Sequence, residues 1–494
     1  MMKKLSGHLV MINFCLYFSL FAFSQNNSDP LYVRNNYTKK EVYITVRDGA
    51  RLFTSVFEPK DSSQTYPILM ERTPYSCGPY GENNYPGRLG PNTNLMKEKY
   101  IFVYQDVRGR YKSEGYFLEM TPAIDNKKQN KDVDESSDTY DTIDWLLKNT
   151  KNNGRVGLYG ISYPGFYASA SLPDAHPAIK AVSPQAPVTD EFIGDDCNHN
   201  GAFFLLDNFD FYNYFDGRRS ANGEEYQPVF TAKFNDAYKF FLDLGPLHNA
   251  NTAQYFNDTN MIWRQAVDHD SYDDFWKSRN IRPHLKNIKP AVLVVGGWFD
   301  AEDMFGALRT YEAIEKQTPD NNNRLVMGPW THGAWSSPTW TKFGSYNFDN
   351  NLNQYYKEEI ETKFFNFYLK DKGRFDVAEA TVFETGTNQW KSYTHWPPAN
   401  IVNTPFYFQP DKKLSTLKSK AVKNFTEYIS DPNQPVPYTD GVRRNRNNEY
   451  VVEDQRFAAK RPDVLVFVTD TLTEDVTVTG RLKANLFVST TGSD

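Results

Sequence analysis

Hydrophobic positions along the chain fall into short runs whose period changes from two to about 3.6 and back. Residues 41–47 alternate polar and apolar, Asp48-Gly49 marks a hairpin turn, and residues 52–57 alternate again, which predicts two paired strands. Residues 67–72 and 100–105 are short apolar runs, predicted as strands that end at Thr73-Pro74-Tyr75 and at Asp106-Val107-Arg108-Gly109. Residues 138–148 place Ile143, Leu146 and Leu147 on one face of a helix. A strand over 155–159, a helix of small residues over 166–172 and a strand over 179–183 follow. Strands apolar on both faces and separated by helices predict a mostly parallel sheet covered on both sides, an α/β architecture.

The pattern stops at about Asp190. Residues 190–285 are aromatic and polar, with Phe209-Asp-Phe-Tyr-Asn-Tyr-Phe215 typical, and predict a largely helical cap inserted into the sheet domain. The sheet resumes with strands at 291–295 and 324–327, and residues 351–370 predict an amphipathic helix that closes the domain at 372. From 373 to 494 the chain alternates at 379–384, 405–409, 464–468 and 476–488, which predicts a separate β-sandwich or jelly roll. The chain stops just past a predicted strand, so the expectation is a jelly roll that is incomplete.

Composition narrows the class. Hydrophobic content of 39% with 16% aromatics predicts packed globular domains, and a net charge of −6 without a basic stripe argues against a nucleic-acid partner. Lys3 and Lys4, a mostly apolar run over 9–23 and small residues before Gln25 predict a signal peptide over 1–24, cut after Ser24. The run is shorter than the roughly 20 apolar residues a membrane span needs. The expected product is therefore secreted or periplasmic, without a stable membrane anchor. Residues 25–38 are polar and predict an extended arm at the start of the first part of the sheet domain, 25–189. Two cysteines remain beyond the leader, Cys77 and Cys197, and the sequence leaves their pairing open.

Candidate chemistry sits at three strand ends. Gly160-Ile-Ser-Tyr-Pro-Gly165 is a sharp strand-to-helix turn that lifts the Ser162 hydroxyl out of a sheet. The strand at 291–295 runs into Gly297-Trp-Phe-Asp300, and the one at 324–327 into Pro329-Trp-Thr-His332-Gly333. Catalytic groups of α/β sheets collect at the carboxyl ends of strands, and Ser, acid, His is the chain order of α/β-hydrolases. Serine needs a base to take its proton, histidine serves near neutral pH, and a carboxylate fixes the imidazole tautomer. Among the other histidines, His199 and His248 fall in the cap, His176 follows the elbow helix and His395 lies in the β region. No metal or organic cofactor is called for by this chemistry.

With these motifs in place the chain resembles the α-amino acid ester hydrolases, within the wider X-Pro dipeptidyl-peptidase-like and cocaine-esterase-like (CocE/NonD) group. The likeness rests on the Gly-x-Ser-Tyr-x-Gly elbow around Ser162, on Gly297-Trp-Phe-Asp300 and on Pro329-Trp-Thr-His332, and it runs over essentially the whole chain. It implies an α/β-hydrolase domain split by the cap (25–189 and 286–372), and an oxyanion hole from the Tyr163 N–H and the Tyr75 hydroxyl. It also implies an ammonium-binding cluster of Asp196, Glu302 and Asp303. Crowded carboxylates raise one another's pKa, and a cationic guest relieves the repulsion. The expected function is hydrolysis or transfer of an α-amino acyl group, from esters and also from amides, to water or to an amine such as a β-lactam nucleus. An X-Pro dipeptidyl-peptidase must also grip an N-terminal ammonium and stays open as the alternative, as does a catalytically silent binding protein. The partners expected are a small ester, amide or short peptide substrate, with homo-oligomer formation left open.

Overall fold

The computed structural model describes residues 29–257, 260–420 and 425–492. The leader expected over 1–24 lies outside them. Among the described residues no helix is long and apolar enough to cross a membrane. A sheet of ten strands organises the molecule: β1 (Tyr37–Thr45), β2 (Arg51–Pro59), β3 (Tyr66–Thr73), β4 (Ile101–Asp106), β5 (Asn152–Ser162), β6 (Ile179–Pro187), β7 (Ala291–Gly297), β8 (Asn323–Gly328), β9 (Ala380–Glu384) and β10 (Gln389–Tyr393). Their spatial order is β1-β2-β4-β3-β5-β6-β7-β8-β9-β10. Pairing is parallel from β4 through β9 and antiparallel at both margins.

Alternate residues of the central strands enter two different cores, which is why those strands read as unbroken apolar runs. Val292 and Val294 of β7 pack with Ile68, Met70, Val156 and Leu158 on one face. Leu293 and Val295 pack with Leu69, Tyr159 and the helix residues Phe364 and Phe365 on the other. Helices Tyr163–Ala170, Glu135–Asn149 and Met304–Gln317 cover the first face, and the helical stretch from Leu352 to Lys370 covers the second. That stretch carries a π-helical turn at Tyr356–Glu361, where the buried Glu361 carboxylate accepts from Gln185 Nε2 at 2.8 Å and Asn92 Nδ2 at 2.7 Å.

Three features differ from the sequence-based expectations. The described part of the arm is not extended: Pro30–Asn36 is a helix capped by the Asp29 side chain, which accepts from the Tyr32 N–H, and Val33 is buried by it. The first two strands after residue 373 do not start a separate sandwich. β9 pairs parallel with β8 and extends the main sheet. Residues 464–468 and 476–488 form no strand, although Val468 makes a single bridge to Lys413. The apolar side chains of 476–488 stand in solvent, Leu482 at 87% and Phe487 at 100% exposed, whereas Val464, Leu465 and Phe467 are half-buried. Alternation marks a face that a second layer must cover, and beyond the contact at Val468 no described strand pairs beside them. Cys77 and Cys197 are both free and buried, so the pairing left open by the sequence is absent.

Residues 190–285 hold helices Leu205–Phe215, Ala237–Leu244, Met261–Asp268 and Asp274–Arg279, and aromatic edges around Phe209 join the first three. Beneath them two acids, Glu119 and Glu191, are both buried and close enough to repel each other when charged. Burial pushes the Glu119 carboxyl up to about 8, and burial with the neighbouring Glu119 raises Glu191 as well. The folded state therefore binds more protons than the unfolded chain. This contribution to stability is complete below the ordinary carboxyl pKa and is lost as pH rises through about 8. The expected result is a thermal midpoint that falls by several degrees between mildly acidic and mildly alkaline buffer, with Glu119→Gln flattening the slope. Parallel melting curves for the two proteins across that range would remove this account.

Candidate active site

β5 ends at Ser162, where the backbone takes φ 67° and ψ −129° before helix Tyr163–Ala170 begins. A positive φ at a non-glycine residue is strained, and here it turns the side chain out of the strand line. The turn closes only because two neighbours lack side chains. A Cβ on Gly160 would lie 2.2 Å from the Pro164 carbonyl oxygen, and one on Gly165 2.6 Å from that of Gln185. Ser162 is 5% exposed. The backbone N–H of Tyr163 belongs to the first turn of the helix, where no intrahelical acceptor is available. Its phenol is used elsewhere, accepting from the Met120 N–H at 2.8 Å.

Beyond β7 the chain turns at Asp300, and beyond β8 at His332. Backbone bonds join the two turns, Trp298 N–H to Gly328 O at 2.8 Å and Phe299 N–H to Trp330 O at 3.0 Å. His332 Nδ1 lies 2.9 Å from Asp300 Oδ2, and both side chains are essentially inaccessible. The other Asp300 oxygen accepts from the N–H groups of Glu302 (2.9 Å) and Asp303 (3.1 Å), which fixes the carboxylate. Burial opposes its charge, but the His332 ring and these donors outweigh burial and hold it below the usual aspartate range. Burial likewise opposes protonation of His332, yet Asp300, then Glu302 and Asp196, push its imidazole up to about 10.

The opposite ring nitrogen faces the acidic patch. His332 Nε2 lies 3.6 Å from Glu302 Oε2 and 3.9 Å from Asp303 Oδ2. The Asp303 side chain is wholly buried and neither oxygen has a hydrogen-bond partner. Burial, reinforced by Asp196, Asp195, Asp300 and Glu302, raises its pKa strongly. Asp196 is raised by burial and then by Glu302, with His332 acting the other way. Its neighbour Asp195 is committed elsewhere: Oδ2 accepts from Thr189 N and Oγ1, both at 2.8 Å, and from Asp190 N at 2.9 Å. Tyr75, after β3, packs edge-on to Tyr163 and Phe215. Burial raises its phenol well above 10, with Asp196, Glu119, Asp303 and Glu302 adding to it, so the hydroxyl stays protonated and able to donate.

All eight candidate residues thus lie around the carboxyl ends of β3, β5, β7 and β8 or, for Asp196, at the start of the cap. One participant escaped the sequence. Arg446, in the C-terminal segment, ion-pairs with Glu302 and with Asp207 of helix Leu205–Phe215, the latter at 2.8 Å. It sits in Arg443-Arg444-Asn445-Arg446, a turn-rich run with no period, and nothing along the chain marks which arginine reaches inward.

Sheet order, strained serine elbow and buried Asp–His pair define a serine hydrolase built on the α/β-hydrolase fold. The chain belongs to the X-Pro dipeptidyl-peptidase (S15) family, whose model matches residues 48–334, and residues 375–494 match the X-Pro dipeptidyl-peptidase C-terminal non-catalytic domain. Among solved structures it is similar to an aminopeptidase from the marine sediment archaeon Thaumarchaeota archaeon, 32% identical with a TM-score of 0.80 over 89% of this chain and 73% of that one. An α-amino acid ester hydrolase is equally similar, 32% identical with a TM-score of 0.79 and the same coverage. Cocaine esterase of Rhodococcus sp. (strain MB1 Bresler) is 26% identical over 94% of this chain and 79% of its own length. Family membership sets aside the silent binding protein as a description of this chain.

Proposed function

We propose that the chain hydrolyses, or transfers to amines, the acyl group of α-amino acid esters. Ser162 attacks the ester carbonyl while His332 Nε2 takes its proton, and Asp300 holds the ring and stabilises the imidazolium. The tetrahedral oxyanion lies between the Tyr163 N–H and the Tyr75 hydroxyl. Its collapse passes the proton from His332 to the departing alcohol and leaves an acyl group on Ser162. Water or an amine then attacks this ester with the same base. Asp196, Glu302 and Asp303 hold the α-ammonium throughout.

The observation that carries this reading is Asp303: a buried carboxylate with no hydrogen-bond donor, 3.9 Å from His332 Nε2. Burying a carboxyl without a partner is costly, and a cation is the guest that removes the cost. An α-amine sits two bonds from the carbonyl carbon, so a cation site serving it has to adjoin the base. The names of the two structures at TM-scores near 0.8 point the same way, since an aminopeptidase and an α-amino acid ester hydrolase both act next to an amine. The second reading, an X-Pro dipeptidyl-peptidase, is favoured by the family match and shares the ammonium grip. Turnover of phenylglycine methyl ester, its des-amino analogue methyl phenylacetate and an Ala-Pro chromogenic amide separates them. The expected result is a preference for the α-amino ester of about a hundredfold in kcat/KM, the scale of a desolvated charge pair. Equal turnover of the two esters would sink the ammonium role, and a dominant Ala-Pro amide would install the second reading.

A further inference from the structure

The acidic patch has a cation of its own, delivered by a segment far from it in sequence. Arg446 spreads its guanidinium over three partners: Nε donates to Asp207 Oδ1 at 2.8 Å, Nη1 to Asn448 Oδ1 at 2.9 Å, and Nη2 to Glu302 Oε1. It lies 5.4 Å from the centroid of the Phe204 ring and is only 13% exposed. Because Oε1 of Glu302 is taken from outside, Oε2 is the oxygen left facing His332, at 3.6 Å. Without that anchor, repulsion from Asp196 and Asp303 favours turning Glu302 toward solvent.

The backbone around Arg446 is itself tied down on both sides of the site. Toward the cap, Ala237 N–H donates to Arg443 O at 2.7 Å and the Tyr238 hydroxyl to Pro435 O at 2.8 Å. Toward the sheet domain, Asn447 caps the turn Asn448–Val452, and Val451 and Val452 pack against the cluster of Phe343, Phe348 and Leu352. The segment is a strap that holds one guanidinium at a set position. Lysine, a single point charge, cannot bridge the three acceptors in this geometry.

We infer that Arg446 is a positioning residue for α-amine recognition, holding Glu302 in its inward orientation and making the C-terminal segment part of the substrate site. This rests on the ammonium role given above to Glu302. The region matched to a non-catalytic domain thereby sets acyl specificity without touching the reacting atoms.

The test measures kcat and KM for phenylglycine methyl ester and methyl phenylacetate with the full chain, R446Q, R446K, E302Q and the double variant R446Q/E302Q, each checked by thermal melting. R446Q is expected to raise KM for the amino ester about tenfold while leaving the des-amino ester within about twofold, with R446K recovering part of the loss. If Arg446 acts through Glu302, R446Q adds less than about twofold to the E302Q defect, whereas a merely structural arginine adds its full effect in both backgrounds. Retained amino preference in folded R446Q, equal loss on both esters, or additivity with E302Q would each overturn the inference. Should R446Q not fold, the same three outcomes are read on R446K. A wild-type chain with no amino preference fails the ammonium reading itself and takes this inference with it. A wild-type preference that survives R446Q defeats the inference alone.

Discussion

Replacing Ser162 by alanine is expected to lower kcat for ester hydrolysis by a factor of about 10⁴ or more and to abolish labelling by a fluorophosphonate probe. The reasoning runs from the backbone. The elbow imposes φ 67° at this position, and serine and alanine meet that strain alike because both carry a Cβ. The buried Asp300–His332 pair and the clash-free glycines at 160 and 165 are untouched, so folding is expected to be unchanged by calorimetry. What disappears is the Ser162 hydroxyl where β5 turns into the helix, and with it the covalent path. Any remaining turnover then reflects oxyanion donors and ammonium binding acting on free water. A Ser162→Ala protein that keeps more than a few per cent of the activity, or that still forms a fluorophosphonate adduct on the elbow, would show that the nucleophile lies elsewhere.

Converting Glu302 and Asp303 together to their amides is expected to produce the second large effect, and it has a signature in pH as well as in affinity. The variant should lose about a hundredfold in kcat/KM for α-amino esters and little for des-amino esters, since only the former carries a charge to be matched. The pH signature follows from His332. Its imidazole is pushed up to about 10 by Asp300, Glu302 and Asp196, so the free enzyme tends to hold it as the imidazolium, which cannot accept the Ser162 proton. Taking negative charge away lowers that pKa. The acid limb of kcat/KM for the des-amino ester should therefore move to lower pH in the amide variant. A bound α-ammonium acts in the same direction in the wild type, lowering the imidazole pKa as it arrives. Substrates with an amine would then help to generate their own base. An acid limb that stays in place, or a loss shared equally by both ester types, would remove the acidic patch from substrate selection.

Much of the site was legible because it sits where regular structure ends. Ser162, Asp300 and His332 each follow an apolar run, and short runs ending in Gly-x-Ser, Trp-Phe-Asp and Trp-Thr-His are local patterns that need no knowledge of the fold. What sets Asp195 apart from its neighbour Asp196 is of another kind. Only the bonds from Thr189 and Asp190 reveal that Asp195 is consumed in shaping the loop. The buried pair Glu119 and Glu191 was invisible for the same reason: a solitary acid in a polar stretch looks solvated until two such stretches are packed together. The strand predictions at 464–468 and 476–488 failed where alternation was clear, because period two states which face wants cover and says nothing of whether a neighbour provides it.

The amino-acid sequence by itself determined the parallel sheet, the sharp turn at Ser162 and the order of the candidate catalytic groups. Each follows from near-neighbour effects: side-chain alternation, a turn that tolerates only glycine beside it, and the chemistry of strand ends. Tertiary structure alone decided that β9 joins the main sheet, that the described arm folds as a helix, and that Arg446 reaches Glu302 across 144 positions of chain. Those outcomes depend on charges and edges brought together from distant segments, and such pairings are set by the energy of the whole packed molecule, which no local window contains.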